Sequence, residues 1–271
     1  MAEPLPAAGA LAMARALFKR PRPAASAPFS TTYTLDGIDA AHLARYNRLL
    51  GFAVDAVPVT YYYLLAQRAH LPTLLRDEFP FRVAGLVHVS NEIVEHRRPE
   101  LAASLRLVTD VQLEAPRANG AVYCALVTRC FNASAPVFTC TSTYLAVRGK
   151  GRGARPAADA APGPRIGTWQ LDAASGRAYA AVSGDWNPIH LWRWSARLFG
   201  MRQPIIHGMH TMGKACALLE QADGRRVRAI GGRFKAPALL GSQLALHADV
   251  AQSRYAVLAS ERVVLEGTVA F

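Results

Sequence analysis

The spacing of apolar residues changes character along the chain. Towards the C-terminus, RVRAIGGRFKAP, SQLALHADVAQ, YAVLASER and VVLEGTVAF alternate apolar with polar positions and are separated by turn residues. A period of two puts successive side chains on opposite faces of a strand, so these segments predict an antiparallel sheet. Ahead of them, HGMHTMGKACALLEQA (His207 to Ala222) has apolar residues near helical spacing, with Gly224 just beyond, and predicts a helix. Gly208, Met209, Met212, Gly213, Ala215, Cys216, Ala217, Leu218 and Leu219 make this helix small and apolar nearly all round, as a helix wrapped by a sheet must be. RAYAAVS (Arg177 to Ser183) alternates and predicts a strand, while WRWSARLFG predicts a short helix.

The first half repeats this plan faintly. VPVTYYYLLAQRAHL (Val57 to Leu71) stands where QPIIHGMHTMGKACAL stands later, with Pro58 opposite Pro204 and Tyr62 opposite Gly208. LVHVSNEIVEHRRP, LAASLRLVTDVQLE, GAVYCALVTRCF and PVFTCTSTYLAV then read as strands. Between the halves, RGKGRGARPAADAAPGPR (Arg148 to Arg165) loses every apolar period and reads as a linker. The expected organisation is an extension at residues 1–28, a repeat at 29–147, the linker at 148–165 and a second repeat at 166–271. The first repeat has no counterpart of SGDWNPIH (Ser183 to His190) and carries Tyr61 and Tyr62 where the second has His207 and Gly208. One active and one structural half are expected.

With 51% hydrophobic residues over 271 positions the chain can bury a sizeable core. No stretch reaches the roughly 20 uninterrupted apolar residues of a membrane helix, so no membrane partner is expected. The net charge is +12; of 31 basic residues four are lysine and the remaining 27 arginine. An anionic partner is one reading and a G+C-rich coding bias the other. The arginines are scattered, without an aromatic-interleaved stripe, which argues against nucleic acid. Cys124, Cys130, Cys140 and Cys216 form no C-x-x-C pair, as suits free buried thiols in a reducing compartment. Residues 1–28 are rich in Ala, Arg and Pro with a single acid, Glu3, and read either as a transit peptide or, as preferred, as a plain extension; they contain no secretory cleavage pattern, and a cytoplasmic protein is expected.

SGDWNPIH places Asp185, Asn187 and His190 in a loop bent by Gly184 and Pro188. A carboxylate and an imidazole beside one water can deprotonate it and return the proton, and the carboxylate can orient the imidazole. Asn187 can anchor the loop or position a substrate carbonyl. The plainer alternative makes Asp185 a cap, Asn187 a turn residue and His190 a buried helix start. Gly208 opens the predicted helix, where an N–H without an intrahelical partner and the positive end of the helix dipole can hold a carbonyl oxygen as it gains charge. Alternatively Gly208 only permits close packing. His207 and His210 on one helix face, with Asp185 and His190, give a weak alternative metal site. No G-x-S-x-G elbow, dinucleotide fingerprint or P-loop is present.

SGDWNPIHLWRWSARLFGMRQPIIHGMHTMGKA, followed by Phe234, Lys235 and Pro237, resembles the MaoC-like dehydratases, the (R)-specific enoyl-CoA hydratases also called hydratase 2. The resemblance is strong over Ser183 to Pro237 and extends to the first half in layout only. It implies an α+β double hot-dog fold, two tandem repeats each with an antiparallel sheet wrapped around a central helix. It implies hydration of trans-2-enoyl thioesters, or dehydration of (R)-3-hydroxyacyl thioesters. Asp185 and His190 would hold the water and the Gly208 N–H the thioester carbonyl, with Asn187, Ser183, His207 and Met209 in support. No cofactor and no metal are implied. The partner would be an acyl-CoA or an acidic acyl carrier protein thioester, and a homo-oligomer is compatible. Met201, Trp192, Trp194 and Gly241-Ser242 depart from the family pattern and put substrate shape in question. Tyr61, Tyr62 and Tyr63 either shape an acyl tunnel or, as preferred, fill the core of the inert half. Two other function classes stay open: a non-catalytic acyl-thioester-binding scaffold, and a hot-dog thioesterase.

Overall fold

The computed structural model describes residues 2–7, 15–16, 18–21, 28–150 and 161–271. Most of the expected 1–28 extension and residues 151–160 of the expected linker lie outside the described residues. In chain order the elements are β1 (Glu3–Pro4), β2 (Phe29–Asp36), α1 (Ala40–Leu50), α2 (Tyr61–Leu75), β3 (Val87–Glu95), β4 (Ser104–Leu113), β5 (Val122–Asn132) and β6 (Ala135–Val147). There follow β7 (Arg165–Gln170), α3 (Ser175–Ser183), a 3₁₀ turn (Pro188–His190), α4 (Arg193–Leu198) and α5 (Gly208–Asp223). The chain ends with β8 (Ala229–Phe234), β9 (Gln243–Asp249), β10 (Arg254–Ala259) and β11 (Arg262–Ala270). Two compact units result: Met1–Ala40 with Tyr62–Arg155, and Ala41–Tyr61 with Pro156–Phe271.

The first unit has strand order β1-β2-β4-β5-β6-β3, antiparallel throughout except for the short β1–β2 pair. Alternation decides its inner face: Leu105, Leu107, Thr109 and Val111 of β4 and Cys124, Leu126, Thr128 and Cys130 of β5 point inward and are buried. Helix α2 lies on that face. Tyr62 stacks on Phe138 at 4.7 Å between ring centroids, and its hydroxyl donates to Glu95. Leu74 and Phe79 pack with Val111, Cys124 and Leu126. His70 reaches Thr128 Oγ1 at 3.0 Å. Tyr61, Tyr62 and Tyr63 are all buried; Tyr61 falls in the second unit, with its ring 5.4 Å from that of Tyr46 in α1, so it is not part of the first half's core as expected. All four cysteines are buried and unpaired with one another.

The second unit has strand order β8-β11-β10-β9-β7, all antiparallel. Helix α5 packs on β7, β8 and β11 and buries Met209, His210, Thr211, Met212, Gly213, Ala215, Cys216, Ala217 and Leu219. Its small residues let neighbours close in. A Cβ on Gly213 would come within 2.6 Å of Leu50 in α1, and one on Gly232 in β8 within 2.8 Å of Met212. Lys214 Nζ donates to the Leu50 carbonyl at 3.1 Å. Helix α1 therefore packs within the second unit, although its sequence precedes α2. Gly224, at φ 75°, ends α5 in the left-handed conformation that glycine adopts without strain.

The expected strand at Arg177–Ser183 is a helix, and the reason is local. Asp172 Oδ1 accepts from the Ala174 and Ser175 N–H groups at 2.8 and 2.7 Å, which caps the start of α3. The helix buries Gly176, Tyr179, Ala180 and Ser183, spaced i, i+3, i+4, i+7, and Gly184 at φ 74° stops it. The apparent alternation ran through three alanines, which carry little strand preference and the highest helix propensity. Three further elements complete the units: FSTTYTLD alternates and forms β2, Leu43, Tyr46, Asn47 and Leu50 make the buried face of α1, and RIGTWQ forms β7.

Candidate active site

The loop after α3 is a staircase of side-chain-to-backbone bonds. Ser183, buried, accepts from the Asp185 N–H at 3.2 Å; Asp185 Oδ1 accepts from the Asn187 N–H at 3.1 Å; Asn187 Oδ1 accepts from the Ile189 N–H at 3.4 Å. Such short polar side chains are the residues that replace a backbone turn with a side-chain one. Asn187 thereby caps the Pro188–His190 turn, whose proline pre-sets the first helical φ. Asn187 thus has the anchoring role, and Asp185 builds the loop with one oxygen while keeping the other.

His190 is buried, and its Nδ1 donates to the Ile205 carbonyl at 2.9 Å. A carbonyl only accepts, so Nδ1 carries the proton and Nε2 keeps its lone pair. The main chain of Ile205, rather than a carboxylate as expected, sets the ring's orientation. Burial pushes the His190 pKa below its ordinary value; the Asp185 charge and the Ile205 bond pull the other way. His207 is the residue before α5, at φ −61° and ψ 136°, and its Nε2 donates to the Asp185 carbonyl at 2.9 Å. Its ring stacks on His190 with centroids 3.7 Å apart. Burial, then the neighbouring His190, hold the His207 pKa well below its ordinary value.

One polar atom each from Asp185, His190 and His207 lie within 4.8 Å of one another. Two such atoms can share a water at ordinary hydrogen-bond distances of about 2.7–3.2 Å. The same three residues are also the carboxylate–histidine set from which a metal site could be built. One nitrogen of each ring already donates to a main-chain carbonyl, His190 Nδ1 to Ile205 and His207 Nε2 to Asp185, so each imidazole has a single lone pair left to offer. The His207–His210 pair expected on one helix face is not formed, since His207 lies outside α5. His210 is buried instead beside Tyr179, 5.5 Å between ring centroids, and burial lowers its pKa to about 4.

Gly208 is the first residue of α5, and Met209 beside it is buried. The first helix carbonyl, that of His207, accepts from His210 and Thr211 at 3.1 and 3.3 Å, so the N–H groups of Gly208 and Met209 have no acceptor within the helix. A Cβ on Gly208 would sit 2.6 Å from the Phe234 ring, so both packing and exposure of the N–H ask for glycine.

Two residues bearing on this geometry escaped sequence reasoning. Tyr179 is fully buried, 5.0 Å between centroids from His207, and is visible in sequence only once α3 is read as a helix. Gly176 lets α3 touch the Pro188–His190 turn: a Cβ there would lie 1.9 Å from the His190 carbonyl oxygen. Since that contact is backbone, Gly176→Ala must separate α3 from the turn. It is expected to cost about 1–3 kcal/mol of stability, read by urea unfolding; unfolding at the wild-type midpoint would show that the contact is not constraining.

Residues 160–265 match the family described as MaoC like domain, a span that includes Asp185, His190 and Gly208. The chain is 28% identical over 216 residues to the 3-hydroxyacyl-thioester dehydratase X of Mycobacterium tuberculosis, covering 78% of this chain and 76% of that protein. It is 32% identical over 179 residues to dehydratase Y of the same organism, covering 60% of this chain and 61% of that protein, so it spans under two thirds of the latter. The crystal structure of HtdX from M. tuberculosis superposes with a TM-score of 0.71 at 26% identity, over 88% of this chain and 98% of that one. Taken with the fold and the loop geometry, these make residues 160–265 a MaoC-like domain within an α+β hot-dog protein homologous to the mycobacterial 3-hydroxyacyl-thioester dehydratases.

Proposed function

We propose that this protein adds water to trans-2-enoyl thioesters, or removes it from (R)-3-hydroxyacyl thioesters, at Asp185, His190 and Gly208. The observation that carries this reading is the His190 tautomer. With Nδ1–H committed to the Ile205 carbonyl, the Nε2 lone pair is held in a group with Asp185 and is not neutralised by protonation at ordinary pH. In hydration, a water donates to Asp185 and to His190 Nε2. As one O–H bond breaks, the oxygen forms the bond to Cβ, and the double-bond electrons move towards the thioester carbonyl. The Gly208 N–H at the start of α5 stabilises the oxygen that gains charge. The proton then passes to Cα from the same face, leaving Cβ–OH and Cα–H and restoring both residues. Dehydration is the reverse. His207 acts through Asp185, whose carbonyl it holds, and no cofactor takes part.

The test is direct. Purified protein mixed with trans-2-enoyl-CoA substrates of graded chain length is expected to bleach the enoyl absorbance and yield the (R)-3-hydroxy product, with one solvent deuterium at Cα when run in heavy water. Release of free thiol without that product would assign hydrolysis instead, and binding without turnover would assign a scaffold.

A further inference from the structure

Between Asp185 and Glu220 the sequence contains no acidic residue, yet it carries Arg193, Arg197 and Arg202. All three are exposed, on α4 and the loop after it. They line a shallow groove of about 470 Å³ together with Gly200, Met201 and Gln203. Large apolar side chains stand exposed on the same short segment: Trp192, Trp194 at 64%, Leu198 at 76% and Phe199. The two indoles stack with centroids 5.9 Å apart, so they present a fixed face rather than loose side chains. Exposed tryptophans ringed by arginine are the composition of binding hot spots rather than of inert surface.

The position of this patch matters as much as its make-up. Ser195 in α4 donates to the Pro188 carbonyl at 2.7 Å, and the Ile205 N–H donates to the Ile189 carbonyl at 3.1 Å. The segment is therefore braced from both ends against the turn that carries His190.

We propose that α4 and the following loop are the docking surface for an acidic acyl carrier protein that delivers its thioester to the site. This rests on the thioester reading above. Arginines supply attraction and register for an acidic helix, and the tryptophan pair supplies the desolvated centre. A free acyl-CoA could satisfy the arginines with its phosphates and one indole with its adenine, but that leaves Leu198 and Phe199 in water, which decides for the protein.

The experiment compares one acyl group on three carriers: an acidic bacterial acyl carrier protein, coenzyme A, and N-acetylcysteamine, which has neither phosphate nor protein. The variants are Arg193→Glu with Arg197→Glu and Arg202→Glu, and separately Trp194→Ala. Both sets are exposed, so the fold should persist, as checked by circular dichroism. Expected is a rise in KM of tenfold or more for the carrier-protein substrate, steepest at low salt, with coenzyme A changed less than threefold and N-acetylcysteamine unchanged. Tryptophan quenching on titrating the holo carrier protein, diminished in Trp194→Ala, reads docking without chemistry. Quenching in a protein that turns over no thioester would keep the docking surface and remove the enzymatic reading. Equal losses on carrier protein and coenzyme A would assign the arginines to coenzyme A phosphates and overturn the proposal. Unchanged KM on all three carriers would overturn it too, as would a shift in oligomeric state caused by Trp194→Ala.

Discussion

His190→Ala and Asp185→Asn should each lower kcat on a trans-2-enoyl thioester by about 10²–10⁴-fold, the range general acid–base groups contribute. The two substitutions act differently. Asparagine keeps an Oδ1 to accept from the Asn187 N–H, so the loop staircase survives and only the charge is lost. Alanine at 190 removes the base and strands the part-buried Ile205 carbonyl, adding about 1 kcal/mol of destabilisation. Asp185→Asn is therefore the cleaner test: kcat should collapse while the urea midpoint stays near wild type. The acid limb of kcat/KM should also fall below pH 6.5, because burial lowers the His190 pKa from that ordinary value. Folded variants retaining kcat within threefold of wild type would falsify the assignment.

The second large effect is acid lability. His70, His88, His190, His207 and His210 are all buried or partly buried and are held below 6.5, chiefly by burial: His70 and His88 to about 3, His210 to about 4. In the unfolded chain these imidazoles take up protons below about pH 6.5, while in the folded protein they stay neutral. The unfolded chain binds more protons across that window, so stability is complete above pH 6.5 and drains away as pH falls towards 4 and 3. At pH 5 His70 and His88, held to about 3, each forfeit about 2 kcal/mol. His70 and His88 together thus remove a large part of the 5–15 kcal/mol that a folded domain holds. A Tm series from pH 7.5 to 4.5 should drop steeply, above the range where carboxylates titrate. His70→Gln, which keeps a donor for Thr128, should flatten the slope. A level Tm over this interval would show that the folded protein protonates these rings without cost.

The division between what the sequence disclosed and what it concealed follows the nature of the bonds. Asp185, His190, His207 and Gly208 were legible because side-chain chemistry and glycine have a distinctive spelling, and the structure gathers them within one unit. The strands β4, β5 and β6 were legible because burial on one face enforces alternation. Helix α3 reads as a strand in sequence because alanine fits either period and its start signal, Asp172, lies before the apolar pattern begins. The packing of α1 within the second unit was hidden because it depends on the small surface at Gly213, a contact between residues far apart in the chain.

Both imidazoles at the site are oriented by the main chain, His190 through the Ile205 carbonyl and His207 through that of Asp185. Every amino acid supplies a carbonyl. The side chain at 205 can therefore drift to suit packing or substrate without disturbing the His190 tautomer, and even Asp185→Asn leaves His207 its acceptor. The site gains mutational robustness where a side-chain orienter would have been a second point of failure. Divergent relatives of this protein can keep the same base under quite different local sequences, provided the path of the backbone past residue 205 is kept.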